Sequence, residues 1–253
     1  MDNALRAAFT ALFQLTESAR IEQRSGYWLL ASPLTPFPQF CGVWAGQTPE
    51  EDEACAAALE GSLAEIENAG MPFTLQVRDG LAPLTERRAV ELGLTAVEPI
   101  EGMLLLPSEL SQPPAAGELT IRPIGAEQLG EAIDVTARGF EAPPEVFLSV
   151  YTPTVFTFPG FMCYMGFVGD QAVTVGVCAR VADIAGIFSV ATPAEHRRRG
   201  YASSLVFQAA QDAFRAGTTL AYLQASPMGC SVYQRLGFRT VEHYRILSRP
   251  PAG

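Results

Sequence analysis

Apolar and polar positions along the chain fall into two strand-helix series separated by a patternless stretch. In the first series, residues 1–19 place Leu5, Ala8, Phe9, Leu12, Phe13 and Thr16 on one side of a predicted helix. Strands are predicted at 27–31 and 42–45, on either side of a loop broken by Pro33, Pro36 and Pro38. Thr48-Pro49-Glu50-Glu51 has the capping side chain, first-turn proline and first-turn acids of a helix start, and that helix runs to Asn68, where Gly70 stops it. A strand at 73–77, a helix at 84–92 and a strand at 101–106 complete the series.

Residues 107–117, PSELSQPPAAG, are polar, proline-rich and without period, which reads as a linker between domains. The expected division is residues 1–110, a linker at 111–117, and residues 118–253. The second series restarts with a strand at 119–123 and a helix near 126–138. Residues 140–161 are rich in proline and aromatic side chains. Strands follow at 161–168 and 172–182, joined by the tight-turn dipeptide Gly169-Asp170, and then at 184–192. After a helix come strands at 220–225, 239–242 and 244–247. The expected fold class is α/β (α+β), a mixed sheet flanked by helices.

The segment 187–216 carries the candidate chemistry. A strand-like run ends at Val190-Ala191-Thr192, a short polar turn follows, and Ala202, Leu205, Val206, Ala209, Ala210, Ala213 and Phe214 then recur at helical spacing. Between them lies Arg197-Arg198-Arg199-Gly200-Tyr201-Ala202-Ser203. The first amides of a helix lack intrahelical acceptors and sit at the positive end of the helix dipole, so a glycine-containing turn flanked by arginines suits an anion. The sequence contains no lysine, which excludes a P-loop, and GxGxxG is absent.

Val190-Ala191-Thr192 followed by Arg197-x-x-Gly200-x-Ala202 resembles the acetyl-CoA motif of the GNAT (GCN5-related) N-acetyltransferases, [QR]xxGx[GA] after a strand. The strand at 220–225, Ser226, and Tyr233-Gln234-Arg235-Leu236-Gly237-Phe238 resemble that family's Y-x-x-x-G-F ending. The resemblance implies a GNAT fold and acetyl-CoA as co-substrate, with direct attack by an amine and no metal. On the matched positions it implies that the backbone of Val190, Ala191 and Thr192 pairs with the pantetheine arm and that Arg197, Arg198, Arg199, Gly200, Tyr201, Ala202 and Ser203 surround the pyrophosphate. It further implies that Ser226 supports the arm and that Tyr233 gives a proton to the departing sulfur. As rival roles, Ser226 is a helix cap before Pro227 and Tyr233 a packing residue. Several family members carry a carboxylate base in the strand before the motif, but residues 184–190 hold none. Asp183, Glu141 and Glu145 are the nearest acids, and a water relay or an already neutral amine stays open.

The two halves also resemble each other. Ala89-Val90-Glu91-Leu92-Gly93-Leu94 aligns with Tyr233-Gln234-Arg235-Leu236-Gly237-Phe238, and each is preceded by a strand ending in Leu-Gln, at Leu75-Gln76 and Leu223-Gln224. Two tandem GNAT-like domains are expected, the first degenerate, with Ala89 in place of a tyrosine and no RxxGxA turn.

Composition changes the picture in three places. Five widely spaced cysteines without CxxC suggest neither a disulfide framework nor zinc, and His196 and His243 lack partners at metal-ligand spacing, so structural or exposed roles are expected for both. The net charge of −10 lies wholly in the first part, where residues 1–115 hold 16 acids against 6 arginines while residues 116–253 hold 11 of each. Such a surface disfavours nucleic acid and anionic membranes as partners, and could draw a cationic amine. With no basic-apolar leader and no membrane-length apolar run, a cytoplasmic location is expected. The expected partners are acetyl-CoA and a small-molecule or peptide amine. The alternative from another class is a non-catalytic acyl-CoA-binding or sensing protein. A longer acyl donor also stays open.

Overall fold

The computed structural model of the chain describes residues 19–32, 41–148 and 151–250. The predicted helix at 1–19, apart from its last residue, and the loop through Pro33, Pro36 and Pro38 lie outside these.

The chain begins with β1 (Arg20–Arg24), which turns at Ser25-Gly26 into the antiparallel β2 (Tyr27–Ala31). The left-handed backbone of that turn, φ +81° at Gly26, suits glycine. β1 was not predicted because Arg-Ile-Glu-Gln-Arg lacks apolar alternation. Its arginines instead reach Glu65 across the surface, at 2.6 Å from Arg20 and 2.8 Å from Arg24, a composition typical of an edge strand. β3 (Gly42–Ala45) pairs antiparallel with β2, α1 spans Pro49–Asn68, and β4 (Thr74–Arg78) returns parallel to β3. α2 (Pro83–Glu91), the two-residue β5 (Thr95–Ala96) and β6 (Ile100–Leu105) follow.

Period-two alternation puts Tyr27, Leu29, Ala31, Val43, Ala45, Leu75 and Val77 on one sheet face, and there they meet Cys55, Leu59, Leu63 and Ile66 of α1 in one core. Each such leucine or valine, fully buried, contributes about 1.5–3 kcal/mol. α2 starts at Ala82, which has no capping side chain. Asp52 of α1, buried, substitutes for one: its carboxylate accepts from the amides of Leu84 and Thr85, both at 2.9 Å, and from the Thr85 hydroxyl at 2.7 Å.

The second series consists of β7 (Leu119–Ile124), α3 (Leu129–Phe140), β8 (Phe161–Val168), β9 (Gln171–Val181), β10 (Ile184–Ala191), α4 (Tyr201–Arg215), β11 (Leu220–Ala225), α5 (Pro227–Gln234) and β12 (Arg239–Ser248). β7 through β10 are antiparallel neighbours, and β11 runs parallel to β10. Leu205, Val206, Ala209, Ala210 and Ala213 of α4 pack on Ile187, Ala221, Leu223 and Ala225, so the helical stripe seen in the sequence is the core stripe.

The two series repeat one plan: three antiparallel strands, a helix, a strand parallel to the third, and a helix that ends on glycine. The repeat extends to single hydrogen bonds. Gly93 and Leu94 donate to Val90 O and Ala89 O, while Gly237 and Phe238 donate to Gln234 O and Tyr233 O. Both glycines are left-handed, at φ +82° and +98°, as this helix ending requires. Ala89 and Tyr233 are therefore equivalent, as the sequence repeat indicated.

The compact units are not consecutive pieces of chain. One comprises Met103–Val241, and the other takes the described residues up to Gly102 together with those from Glu242 on. In the second of these, β12 pairs with β4 from Tyr244↔Arg78 to Ser248↔Thr74, and Leu247 enters its core. In the first, Met103 and Leu105 of β6 are fully buried with Leu223 and Leu236. Two expectations change accordingly. The closing strands predicted at 239–242 and 244–247 are one strand, and the proline-rich stretch after Leu106 does not divide the units. Its first part docks instead: Ser111 donates to Leu236 O at 3.0 Å, and a Cβ on Gly237 would lie 2.0 Å from Glu109 O. Low hydropathy and prolines report the lack of regular structure, not the lack of contacts. The account predicts that a fragment starting at residue 100 unfolds cooperatively in urea, while one starting at 118, deprived of Met103 and Leu105, does not. Matching transitions for both fragments would show that β6 is dispensable to this unit.

Candidate active site

β10 and β11 pair only at Ile184↔Leu220, Ala185↔Ala221 and Gly186↔Tyr222. β10 continues to Ala191 and β11 to Ala225, so the two strands part, and among the described residues the edge of β10 facing β11 has no strand partner beyond Gly186. On its other side β10 stays paired with β9, through a bulge: Phe188 faces Val177, but Ala191 faces Val175. Gly176 lies between those partners, and a Cβ there would stand 2.7 Å from Leu205 Cδ2 and 3.3 Å from Val190 Cγ2. Glycine is the residue that lets the bulge and α4 close over this point.

Side chains that the sequence did not single out fix the end of β10. The Thr174 hydroxyl, fully buried, donates to Ala191 O at 3.0 Å and lies 2.9 Å from the Thr192 hydroxyl. Gly139 at the end of α3 abuts the same place, since a Cβ there would lie 2.7 Å from Ala191 Cβ and 3.0 Å from Thr192 N. Glycines inside an otherwise regular pattern were the available signal for Gly139 and Gly176, whereas Thr174 had none, because its partner depends on strand register.

The arginine run divides by role. Arg197, half-buried, donates from Nε to Thr192 O at 3.1 Å and from a terminal nitrogen to Gly139 O at 2.8 Å and Glu141 at 3.1 Å, tying the turn to α3. Arg198 and Arg199 are exposed and make no ion pair among the described residues. Arg198 and Gly200 are left-handed, at φ +63° and +80°, and no side chain caps α4. The first helical bond is Ser204 N to Gly200 O, at 3.0 Å, so the amides of Tyr201, Ala202 and Ser203 open the helix without intrahelical acceptors. Tyr201 itself is buried, and Ala202 and Ser203 are half-buried. His196, buried directly before the run, has neither ring nitrogen hydrogen-bonded among the described residues. The equivalent helix start in the other unit is closed: the Glu51 carboxylate accepts from Gln47 N at 2.8 Å and Thr48 N at 3.0 Å, and the Thr48 hydroxyl accepts from Glu51 N at 3.2 Å.

Ser226 is the N-cap of α5, but its hydroxyl makes no capping bond. Tyr233, on the same helix, is buried edge-on to Phe238 with ring centroids 6.0 Å apart, and burial pushes its phenol up to about 12. A Cβ on Gly229 would meet the ring at 3.0 Å, so glycine makes room for it. Of the acids near the motif, Asp183 stands at the opposite end of β10, bonded to the Thr219 hydroxyl at 2.8 Å. Glu141 is paired with Arg197, and Glu145 is exposed. Among the described residues no three His, Cys, Asp or Glu side chains gather as a metal site would need, and no helix is long and apolar enough to cross a membrane.

Residues 166–241 match the family model of the acetyltransferase (GNAT) domain. No curated protein matches the chain. Among solved structures, a GCN5-related N-acetyltransferase from Kribbella flavida is 20% identical, with 99% of this chain and 96% of that one covered at a TM-score of 0.73. A GCN5-related N-acetyltransferase from Sphaerobacter thermophilus is 17% identical over 91% of this chain and 83% of that one, at 0.63. A GNAT-family protein described as a putative acetyltransferase, from Novosphingobium aromaticivorans, is 16% identical over 98% and 96%, at 0.56. The mixed sheet flanked by helices is the GNAT fold, and the likeness runs through both series. The division of roles among the arginines predicts that Arg197→Ala lowers unfolding stability by about 1–2 kcal/mol, while Arg198→Ala and Arg199→Ala stay within about 0.5 kcal/mol of the parent in urea denaturation. Equal losses in all three would contradict that division.

Proposed function

We propose that this chain, with its GNAT domain, is an acetyl-CoA-dependent N-acetyltransferase that moves the acetyl group to a primary amine by direct attack. The observation that carries the reading is the parting of β10 from β11 in the same unit as an uncapped α4 start: an open strand edge beside an open set of helix amides. A pantetheine arm, with its two amides, supplies the missing strand to Val190, Ala191 and Thr192. The pyrophosphate takes the amides of Gly200, Tyr201, Ala202 and Ser203 and the charge of Arg198 and Arg199, while Arg197 holds the turn in shape. The uncommitted Ser226 hydroxyl is free to bond the arm.

In the reaction the amine nitrogen forms a bond to the thioester carbon and the carbonyl oxygen gains charge, which an amide at Val190 offsets. The C–S bond then breaks, the thiolate takes up a proton and the new ammonium loses one. A thiolate whose thiol has ordinary acidity, near 8.5, cannot take the proton of a phenol at about 12 without a cost of about 5 kcal/mol. Tyr233 therefore acts as a hydrogen-bond donor to the leaving sulfur and keeps its proton, while the proton the sulfur takes up is balanced by the one the ammonium sheds. The five cysteines are all free thiols, four of them buried, which supports a reducing, cytoplasmic setting.

The test is Tyr233→Phe, assayed for CoA release over a panel of primary amines alongside calorimetric acetyl-CoA affinity. The expected result is a turnover loss of about 10²-fold or more with affinity within about twofold. Full turnover in the variant removes Tyr233 from the chemistry, and tight acetyl-CoA binding without transfer to any amine supports the sensing alternative instead.

A further inference from the structure

The Leu-Gln pair that recurs in the two halves marks equivalent positions on β4 and β11, and there the halves differ. In the first series β3 and β4 stay paired as far as Trp44↔Gln76. In the second, the last pair of β10 and β11 is Gly186↔Tyr222. The same register continued two residues further would set Phe188 opposite Gln224, but there the strands have parted. Alternation fixes the side on which both stand. Ala185, Ile187, Ala221, Leu223 and Ala225 point into the core under α4, so Phe188 and Gln224 point from the sheet's other face. The Phe188 ring agrees: a Cβ on Gly186, two residues back on that face, would lie 2.4 Å from Phe188 Cζ.

Gln224 is half-buried, yet its amide nitrogen is closed off from solvent and has no hydrogen-bond partner among the described residues. A buried donor left unpaired destabilises the fold that carries it. This nitrogen has two hydrogens to give and cannot accept, so what completes it is an oxygen acceptor brought by a ligand. The pantetheine arm does not meet that need. It enters as a strand in the plane of the sheet, whereas the side chain of a strand residue stands roughly perpendicular to that plane. Tyr233, the donor to the leaving sulfur, belongs to the core on the α4 side. The amine therefore reaches the thioester from the opposite face, where Phe188 and Gln224 stand.

Resting on the transferase reading above, we infer that Gln224 is a specificity-determining residue, which donates from Nε2 to a neutral carbonyl oxygen beside the amine that is acetylated. The acceptor is then an amino acid amide or the amino terminus of a peptide. A neutral carboxamide donor matches a neutral carbonyl, since it brings no charge to offset the burial of a carboxylate. Phe188, half-buried, offers apolar surface to the rest of such an acceptor.

The probes are leucinamide, leucine and 3-methylbutylamine, which is leucinamide without its carboxamide, each assayed for CoA release by the full chain. Gln224→Met keeps the length of the side chain without a donor, and Gln224→Glu replaces the donor by an acceptor. In both variants the kcat/KM ratio of leucinamide to 3-methylbutylamine should fall about tenfold from that of the parent, the loss of one hydrogen bond to a buried group. Comparing ratios cancels the different basicities of the two amines. Leucine should be a poorer acceptor than leucinamide in the parent protein. Calorimetric acetyl-CoA affinity should stay within about twofold in Gln224→Met, and its urea midpoint should be no lower than that of the parent, because an unpaired buried donor has been removed. A ratio unmoved in Gln224→Met, or a parent protein that acetylates other amines but refuses leucinamide, overturns the inference. So does a variant with weakened acetyl-CoA binding, which would assign Gln224 to the arm, or one that unfolds more easily, which would show the amide to be engaged within the fold. Absence of acetyl-CoA binding in the parent is a different result, since it removes the transferase reading as well.

Discussion

The unit that carries the GNAT domain depends on a backbone edge that no strand among the described residues pairs. β10 leaves β11 after Gly186, and from there to Ala191 its amides and carbonyls on that side lack a strand partner among the described residues. Buried peptide groups left this way are costly, and sheets normally cover or pair them. Here the surrounding sequence is arranged to keep the opening. A bulge takes up the slack against β9, Thr174 ties down Ala191, and Arg197 with Gly139 fixes the turn beyond. α4 then begins at a glycine that has nothing to cap it with. Glycines at 139 and 176 are needed because backbone and side chains of neighbouring elements approach there, and the glycine at 200 because its backbone is left-handed.

The other unit shows the same plan with the site filled in. Its third strand passes to its helix through Gly46, Gln47 and Thr48 alone, too short a connection for an arginine-glycine turn, and a capping box uses the amides at the helix start. The position of Tyr233 is held by Ala89, fully buried in that unit's core. What remains is the helix ending on Gly93, a scaffold feature. The unit keeps the parts that stabilise the fold and lacks the parts that would bind an anion. Its own stability is met by Asp52, whose buried carboxylate caps α2, and by the strand it receives from the end of the chain.

Much of this was legible in the sequence. The α1 start at Thr48-Pro49-Glu50-Glu51, the Gly169-Asp170 hairpin and the stripe on α4 all follow from local chemistry, so reading them needed no tertiary knowledge. The helix at 84–92 and the strand at 73–77 shifted by one residue. β1 was hidden because an edge strand can be polar throughout. The exchange of β6 and β12 was hidden for a deeper reason: apolar alternation says that a strand has a buried face, not which core receives it. The same limit applied at the site. The turn Arg197 to Ser203 was visible as a motif, but the division between Arg197, bonded to Thr192 and Gly139, and Arg198 and Arg199, which make no ion pair among the described residues, depends on where α3 ends.

The most direct measurement is calorimetric titration of acetyl-CoA into the full chain, with Gly200→Glu as the control, because that change both strains a left-handed position and places a negative charge at the α4 start. The account predicts one-to-one binding in the parent protein and loss of at least about tenfold in affinity in the variant. Absence of binding in the parent, or equal binding in both, would contradict the claim that the opening beside β10 and the start of α4 form a coenzyme site.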